Sequence, residues 1–187
     1  MNQSRCPWVN DNPLMIEYHD KEWGVPKHND KELFEYLVLD AFQAGLSWNT
    51  IINKRKNFER AFDNFDVEKI SKYKEKDFSR LMNDAGIIRN KQKIQATIIN
   101  AQKFIEVQKE FGSFNKYIWQ FTKHKTIKNK IKTIKDYQSK SPESDAMSLD
   151  LKKRGFKFVG STICYAFMQA AGLVNDHSID CFRYNQV

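Results

Sequence analysis

Cysteine is scarce in this chain. Three in 187 residues, at positions 6, 164 and 181, are an odd number at wide separations, which excludes a disulfide framework. Reduced thiols or a metal site are the roles left for them. Nothing approaches the roughly 18 consecutive apolar residues of a membrane span, and the N-terminal MNQSRCPW lacks the apolar centre of a signal peptide. A cytoplasmic location without membrane contact is therefore expected. Sustained period-2 alternation and internal repeats are also missing, which leaves an all-α class. Acidic residues are outnumbered, 23 against 31 Lys plus Arg, giving a net charge of +8 and a pI near 9.3. That balance favours a polyanionic partner, nucleic acid first. The competing reading is a solvated face, because lysine runs such as Lys123 to Lys135 often do nothing more.

What is present suffices for one domain or two small lobes sharing a core, with 41% hydrophobic residues over 187. Leu33 to Trp48, LFEYLVLDAFQAGLSW, carries apolar residues at helical spacing and reads as an amphipathic core helix capped by Asn29 or Asp30. Asp40 falls in its apolar stripe with Leu33, Leu37 and Ala44. A carboxylate there has to be hydrogen-bonded, paired with a cation or protonated. Gly45 weakens the helix, and Leu46 and Trp48 stand where it should break.

The first thirty residues read as an irregular aromatic loop. Further helices are expected from Trp48 to about Phe62, Val67 to Tyr73, on both sides of AGIIRN at 85–90 with the second reaching Phe111, and Phe114 to Phe121. His124 to Ser144 is basic, without an apolar period, and reads as a surface excursion. Ser144 is expected to cap a helix to Lys153, and Ser161 to Ala171 forms another before an irregular tail.

Three constellations carry chemistry. LDLKKRGFKFVGSTICYAFMQA has the form helix, glycine-bracketed turn, helix, and Gly155 and Gly160 leave amides uncovered where a helix dipole favours a phosphate. Arg154 and Lys157 add charge there; an αα corner with a solvated turn is the plainer reading. Cys6, His19, His177 and Cys181 could form a closed, structural Cys2His2 zinc site, or be two histidines and two thiols without a metal. Cys164 is most simply a core residue. Trp8, Tyr18, Trp23 and Trp48 could be core, or could stack on a flat, electron-poor ring beside Asp40.

Six blocks in order, CPWV at Cys6, YHDKEWGVP at Tyr18, QAGLSW at Gln43, AGIIRNKQKI at Ala85, LKKRGFKFVGSTICYAFMQAAGLVNDH at Leu151, and Cys181, carry a resemblance. The chain resembles the DNA-3-methyladenine glycosylase I family, a branch of the helix-hairpin-helix base-excision glycosylases. The resemblance implies a helix-hairpin-helix fold acting as a single unit over 1–187, in two helical lobes, with the hairpin at about 145–171. It implies structural zinc on Cys6, His19, His177 and Cys181, joining segments 5–24 and 173–182. Asp40 becomes the catalytic carboxylate, with Tyr18, Trp48, Trp8, Trp23 and Met15 around the base. DNA contacts fall on Gln43, Leu46 as wedge, Arg154, Gly155, Lys157, Phe158, Gly160 and Ser161. The implied activity is hydrolysis of the 3-methyladenine glycosidic bond in alkylated double-stranded DNA, by a monomer. Ser161 and Thr162 stand where lyase relatives place lysine, so no lyase step is expected.

Two residues depart from the family pattern. Asp40 replaces a Glu, shortening the reach by roughly 1.5 Å, and Met15 replaces a tyrosine. A non-catalytic binder of alkylated DNA is the alternative that Asp40 leaves open. A zinc hydrolase is a third reading, disfavoured by four protein ligands.

Overall fold

A single helix organises the chain, and its start is set by Asn29, whose side chain accepts from the amides of Lys31 and Glu32. This helix, α2 (Asp30–Gln43), has nine of its fourteen residues buried, so it is surrounded rather than laid on a surface. The computed structural model describes residues 4–187. Around α2 pack α3 (Trp48–Ile52), α7 (Lys91–Phe111), α8 (Phe114–Trp119) and α10 (Ser161–Ala170). Aromatic contacts fill the joints. Phe104 of α7 stacks on Phe114 of α8 at 4.0 Å and meets Phe34 of α2 edge-on at 5.1 Å.

The remaining α-helices among the described residues are α1 (Pro13–Lys21), α4 (Arg55–Ala61), α5 (Val67–Ile70), α6 (Glu75–Asn83) and α9 (Pro142–Lys153). The structure is predominantly helical, as expected, but several boundaries differ from the sequence reading. The N-terminal segment is not wholly irregular: Asn12 accepts from the amide of Leu14, Pro13 takes the first helical position, and α1 follows. The helix expected from Trp48 to Phe62 breaks at Asn53 and Lys54 into α3 and α4. Ser141, not Ser144, caps α9; the two serines bond reciprocally, with Pro142 between them.

The basic stretch after His124 also has an anchor. Its residues Ile127–Lys128 (β1) pair in parallel with Val174–Asn175 (β2), and Ile131, only 4% exposed, continues the pairing opposite Ser178. The chain's two ends close on each other at Gly172. A Cβ there would lie 2.3 Å from the Val25 carbonyl carbon, and φ is +74°, so only glycine fits. Gly24 and Lys27 donate their amides to the carbonyls of Gln169 and Ala171 across this junction.

Candidate base pocket, metal cluster and hairpin

Asp40 sits three residues before the end of α2 and is 2% exposed. Its Oδ2 has no hydrogen-bond partner. Burial alone pushes its carboxyl well above the ordinary range, with no cation nearby to oppose the shift. Asp40 lines a cavity of about 450 Å3 together with Trp8, Met15, Tyr18, Trp23, Gln43 and Trp48. The structure thus brings all the expected base-contacting residues to one pocket.

The lining is unusual in its unmet polar atoms. Besides Asp40 Oδ2, the indole nitrogens of Trp8 and Trp48 and the hydroxyl of Tyr137 are buried without partners. Buried polar atoms of folded proteins are nearly always paired. The Asp40 oxygen and the two indole nitrogens form a set of groups that a planar, hydrogen-bonding ligand would satisfy, whereas the Tyr137 hydroxyl lies toward Cys6. Tyr18 and Trp48 face each other at 4.9 Å with 42° between their planes. Burial raises the Tyr18 phenol well above its usual value, so it meets a ligand as a neutral donor. Trp8 stands edge-on against Trp23 at 4.8 Å, and Trp23 in turn packs on His177 at 4.7 Å. Trp23 therefore serves as the link between pocket and metal cluster as well as part of the wall.

Tyr137 escaped the sequence reading. It is the single aromatic residue of a polar, basic stretch without helical period, which hides its position on the pocket wall. Lys93 escaped as well. On α7 it shares the buried stripe of Ala96, Thr97, Asn100 and Ala101, an anomalous place for lysine that could have been noticed. Its Nζ donates to the carbonyls of Phe42 and Ala44 at 2.8 and 2.6 Å, satisfying the C-terminus of α2. It thereby holds the turn that carries Gln43 and Leu46. Gln43 reaches the pocket, and Leu46 projects into solvent at 39% exposure beside Gly45, whose φ is +76°.

Cys6, His19, His177 and Cys181 converge, all four buried, with their ligand atoms within 4.8 Å of one another. Cys6 Sγ and Cys181 Sγ lie 3.4 and 3.5 Å from His177 Nδ1, and Cys181 Sγ lies 3.4 Å from His19 Nε2. Metal–ligand bonds of about 2.0 to 2.3 Å give tetrahedral edges of roughly 3.3 to 3.8 Å, so the donor set fits a zinc-sized ion. The outer contacts agree. His19 Nδ1 is 2.7 Å from Asp20, itself clamped by Arg5, and His177 Nε2 is 3.0 Å from the Trp23 carbonyl. The amides of Ser178 and Arg183 donate to the two sulfurs. The two thiols form a coupled pair: their mutual hydrogen bond lowers one, Cys6, and raises the other, Cys181, so one proton is shared between two sulfurs placed to serve as metal ligands.

The glycine-bracketed turn joins α9 to α10. Gly155 is left-handed (φ +93°), and so is Phe158 (φ +54°), which bends the chain before Gly160 caps α10 without a side chain. Asn100 of α7 fixes the turn from beneath, accepting from the Lys157 amide and donating to its carbonyl. The Lys157 side chain is exposed, and space is open where Gly160 would carry a Cβ. Ser161 begins α10 with its hydroxyl 2.9 Å from that of Ser144. Arg154, expected at the DNA face, has intramolecular partners. Its guanidinium turns back to Glu110 and Asp150, both at 2.7 Å, and lies over the rings of Phe111 and Tyr117, so it braces the hairpin against α7 and α8.

Known proteins resemble this chain in sequence and in fold. A family model described as methyladenine glycosylase matches residues 8–184. DNA-3-methyladenine glycosylase 1 of Escherichia coli (strain K12) is 48% identical over 180 residues, 96% of each chain. A crystal structure of 3-methyladenine DNA glycosylase I superposes with a TM-score of 0.93 at 46% identity, covering 96% of this chain and 98% of the other. The Staphylococcus aureus enzyme, whose structure was described for its recognition of 3-methyladenine, matches with a TM-score of 0.92 at 34% identity over 95% of each chain. With the match running the length of the chain in both sequence and fold, this protein belongs to the methyladenine glycosylase family.

Proposed function

We infer that the protein is a DNA glycosylase that extrudes 3-methyladenine from alkylated duplex DNA and hydrolyses its N-glycosidic bond. The observation that carries the reading is the pocket: one buried, unpartnered carboxylate among aromatic rings. The base is cationic while attached to deoxyribose, and Asp40 is placed to meet that charge. Neutral adenine brings no compensating charge and leaves the buried carboxyl uncompensated. Extrusion of the nucleotide costs a few kcal/mol, and stacking on aromatic side chains returns about 1 to 3 kcal/mol per base. Tyr18 and Trp48 supply the stacking, with Trp8, Trp23 and Met15 closing the pocket behind them.

In the chemical step the carbon–nitrogen bond breaks and its electron pair passes to the cationic base, which leaves neutral. Water then adds to the oxocarbenium-like sugar and gives up a proton. Asp40 contributes charge stabilisation rather than a covalent bond, and Ser161 and Thr162 fill the position where lyase relatives carry the Schiff-base lysine. Leu46 fills the gap in the duplex, while Gln43, Gly155, Lys157, Phe158, Gly160 and Ser161 form the DNA face, with amides at the start of α10 turned to phosphate. Zinc held by Cys6, His19, His177 and Cys181 would be structural, because four protein ligands leave no open position. The whole chain acts as one unit, since those ligands come from both of its ends. Among the described residues, no helix is long and apolar enough to cross a membrane.

Release of free 3-methyladenine from methylated DNA, followed chromatographically, tests the reading. Folded, DNA-binding protein that releases none would favour the alternative of a lesion binder, for which the shorter reach of Asp40 is the motivating observation.

A further inference from the structure

Neither the pocket nor the hairpin accounts for the most basic part of the surface. Between positions 123 and 140 stand seven lysines and a single acidic residue, Asp136. All seven are exposed, and none takes part in an ion pair among the described residues, whereas Lys21, Lys72 and Lys103 do elsewhere. Asp136 is spent on the backbone, accepting from the amides of Lys132 and Thr133. The charge is thus unneutralised along the whole run.

Nor is the run a loose excursion. Ile127 and Asn129 donate their amides to the carbonyls of Leu173 and Asn175, Ile131 accepts from Ile179, and Asn129 Nδ2 bonds Asp176 at 2.7 Å. Beyond the buried Ile131 the chain reaches the pocket wall at Tyr137. It then reaches Ser141, which bonds Ser144, which bonds Ser161 at the start of the hairpin's second helix. Lys132 and Lys135 lie between the anchor and the pocket wall, and Lys140 lies between the pocket wall and the phosphate-facing helix terminus. Lys123 and Lys125 precede the pairing with Leu173, beyond the far end of α10, a helix about 15 Å long.

We propose that the anchored strip from Lys130 to Lys140 is a second DNA-backbone grip, holding phosphates beside the base pocket in addition to the hairpin. The proposal rests on the glycosylase reading, because the duplex is placed by the extruded base. Charge complementarity and continuity with the pocket through Tyr137 both favour DNA as the occupant. A solvated surface would show the same composition without any dependence of DNA affinity on these positions.

The test is the salt dependence of binding to a short synthetic duplex carrying a stable abasic-site analogue, read by fluorescence anisotropy. The slope of log K against log salt falls by about 0.9 for each phosphate that the protein no longer neutralises. The combined variant Lys132→Gln, Lys135→Gln, Lys140→Gln is expected to flatten the slope by about 2 to 3 on that basis. Lys123→Gln with Lys125→Gln should leave it unchanged. An unchanged slope in the triple variant, or an equal loss per lysine in both variants, overturns the proposal, the second result because it reports only the general field of the molecule. Binding of free 3-methyladenine, read by tryptophan fluorescence, should match the unaltered protein in the triple variant; its loss would show that the strip shapes the pocket and would also overturn the assignment. Should the triple variant fold poorly, the three single Lys→Gln variants are each expected to flatten the slope by about 0.9, and no change in any of them overturns the grip. Normal slopes of this kind in a protein that releases no base would sink the functional reading alone.

Discussion

Asp40 is asked to be neutral in the empty pocket and negative beside a cation. Its carboxyl is buried with no partner at Oδ2, and burial raises its pKa. The folded protein therefore keeps the Asp40 proton to higher pH than the unfolded chain, whose aspartates titrate near ~3.9. Ionising Asp40 accordingly costs stability progressively as pH rises from that value through the raised one. Asp40→Asn removes the cost, so the variant's melting temperature should gain on the unaltered protein as pH rises from about 4, the unfolded value, through the raised one. Activity has the opposite dependence, since the base needs the carboxylate. Base release, measured as kcat/KM, should fall as pH drops through the raised pKa. Asp40→Asn should lower release by about a hundredfold or more, the scale of losing one preorganised charge-stabilising group, with duplex binding retained. Asp40→Glu, assayed beside it, measures what the shorter reach costs; equal turnover would show that α2 already brings Asp40 close enough. The anomaly of Asp40 was legible because helical spacing placed it among leucines. Tyr137 was not, because no periodicity marks a residue whose position is set by pairing with a segment 47 positions away, as at Ile127 and Val174.

At the scale of elements, α2 would end with bare carbonyls beneath the pocket if Lys93 did not reach them. Hydrogen bonds to charged groups contribute about 1.5 to 3 kcal/mol, so Lys93→Met should destabilise the protein by about 2 to 3 kcal/mol in urea. The same change loosens the turn that carries Gln43 and Leu46. Faster amide exchange at Leu46, whose amide donates to Gln43, is the local signature; exchange unaltered there would mean that the turn is held without Lys93. The elements themselves were legible where burial repeats, as in α2, α7 and α10. They were misread where capping outweighs periodicity. Asn12 and Pro13 start a nine-residue helix that the aromatic character of the segment concealed. The apolar spacing of Ile51, Ile52, Phe58 and Phe62 continues across the break at Asn53 and Lys54, because two short helices can present one buried face. Gly172 shows the converse, a residue whose spelling gives no hint of the backbone packed against it. Gly172→Ala drives a methyl into Val25 and Pro26 and strains a positive φ, and should cost more than about 3 kcal/mol by thermal or urea unfolding.

Over the whole molecule, the pocket exists only because the two ends of the chain meet. Trp8 and Tyr18 come from the first 18 residues, Gln169 from the last helix, and Cys6 and Cys181 stand 175 positions apart. A metal bound there would join segments this far apart, and its binding free energy would add to the stability of the folded state. It also fixes Trp23, which touches both His177 and Trp8. The convergence of the four ligand residues was legible in their types and in the family resemblance, but the means of bringing them together was not, since it depends on α1, on Gly172 and on the tail pairing with β1. Purified protein should hold one zinc per chain, measured by a colorimetric chelator after unfolding. Stripping the metal should lower the melting temperature by about 10 °C or more, because each kcal/mol lost moves the midpoint about 2 to 4 °C in a chain of this size. Cys181→Ser should reproduce that loss and weaken binding of free 3-methyladenine through Trp23 and Trp8, although Cys181 does not line the pocket. Chelation that leaves both the melt and base binding unchanged would make the cluster a set of buried thiols and imidazoles with no metal role. The junction at Gly172 and the amide bonds of Gly24 and Lys27 across it would then hold the two segments together, and Gly172→Ala, rather than Cys181→Ser, would be the substitution that weakens base binding.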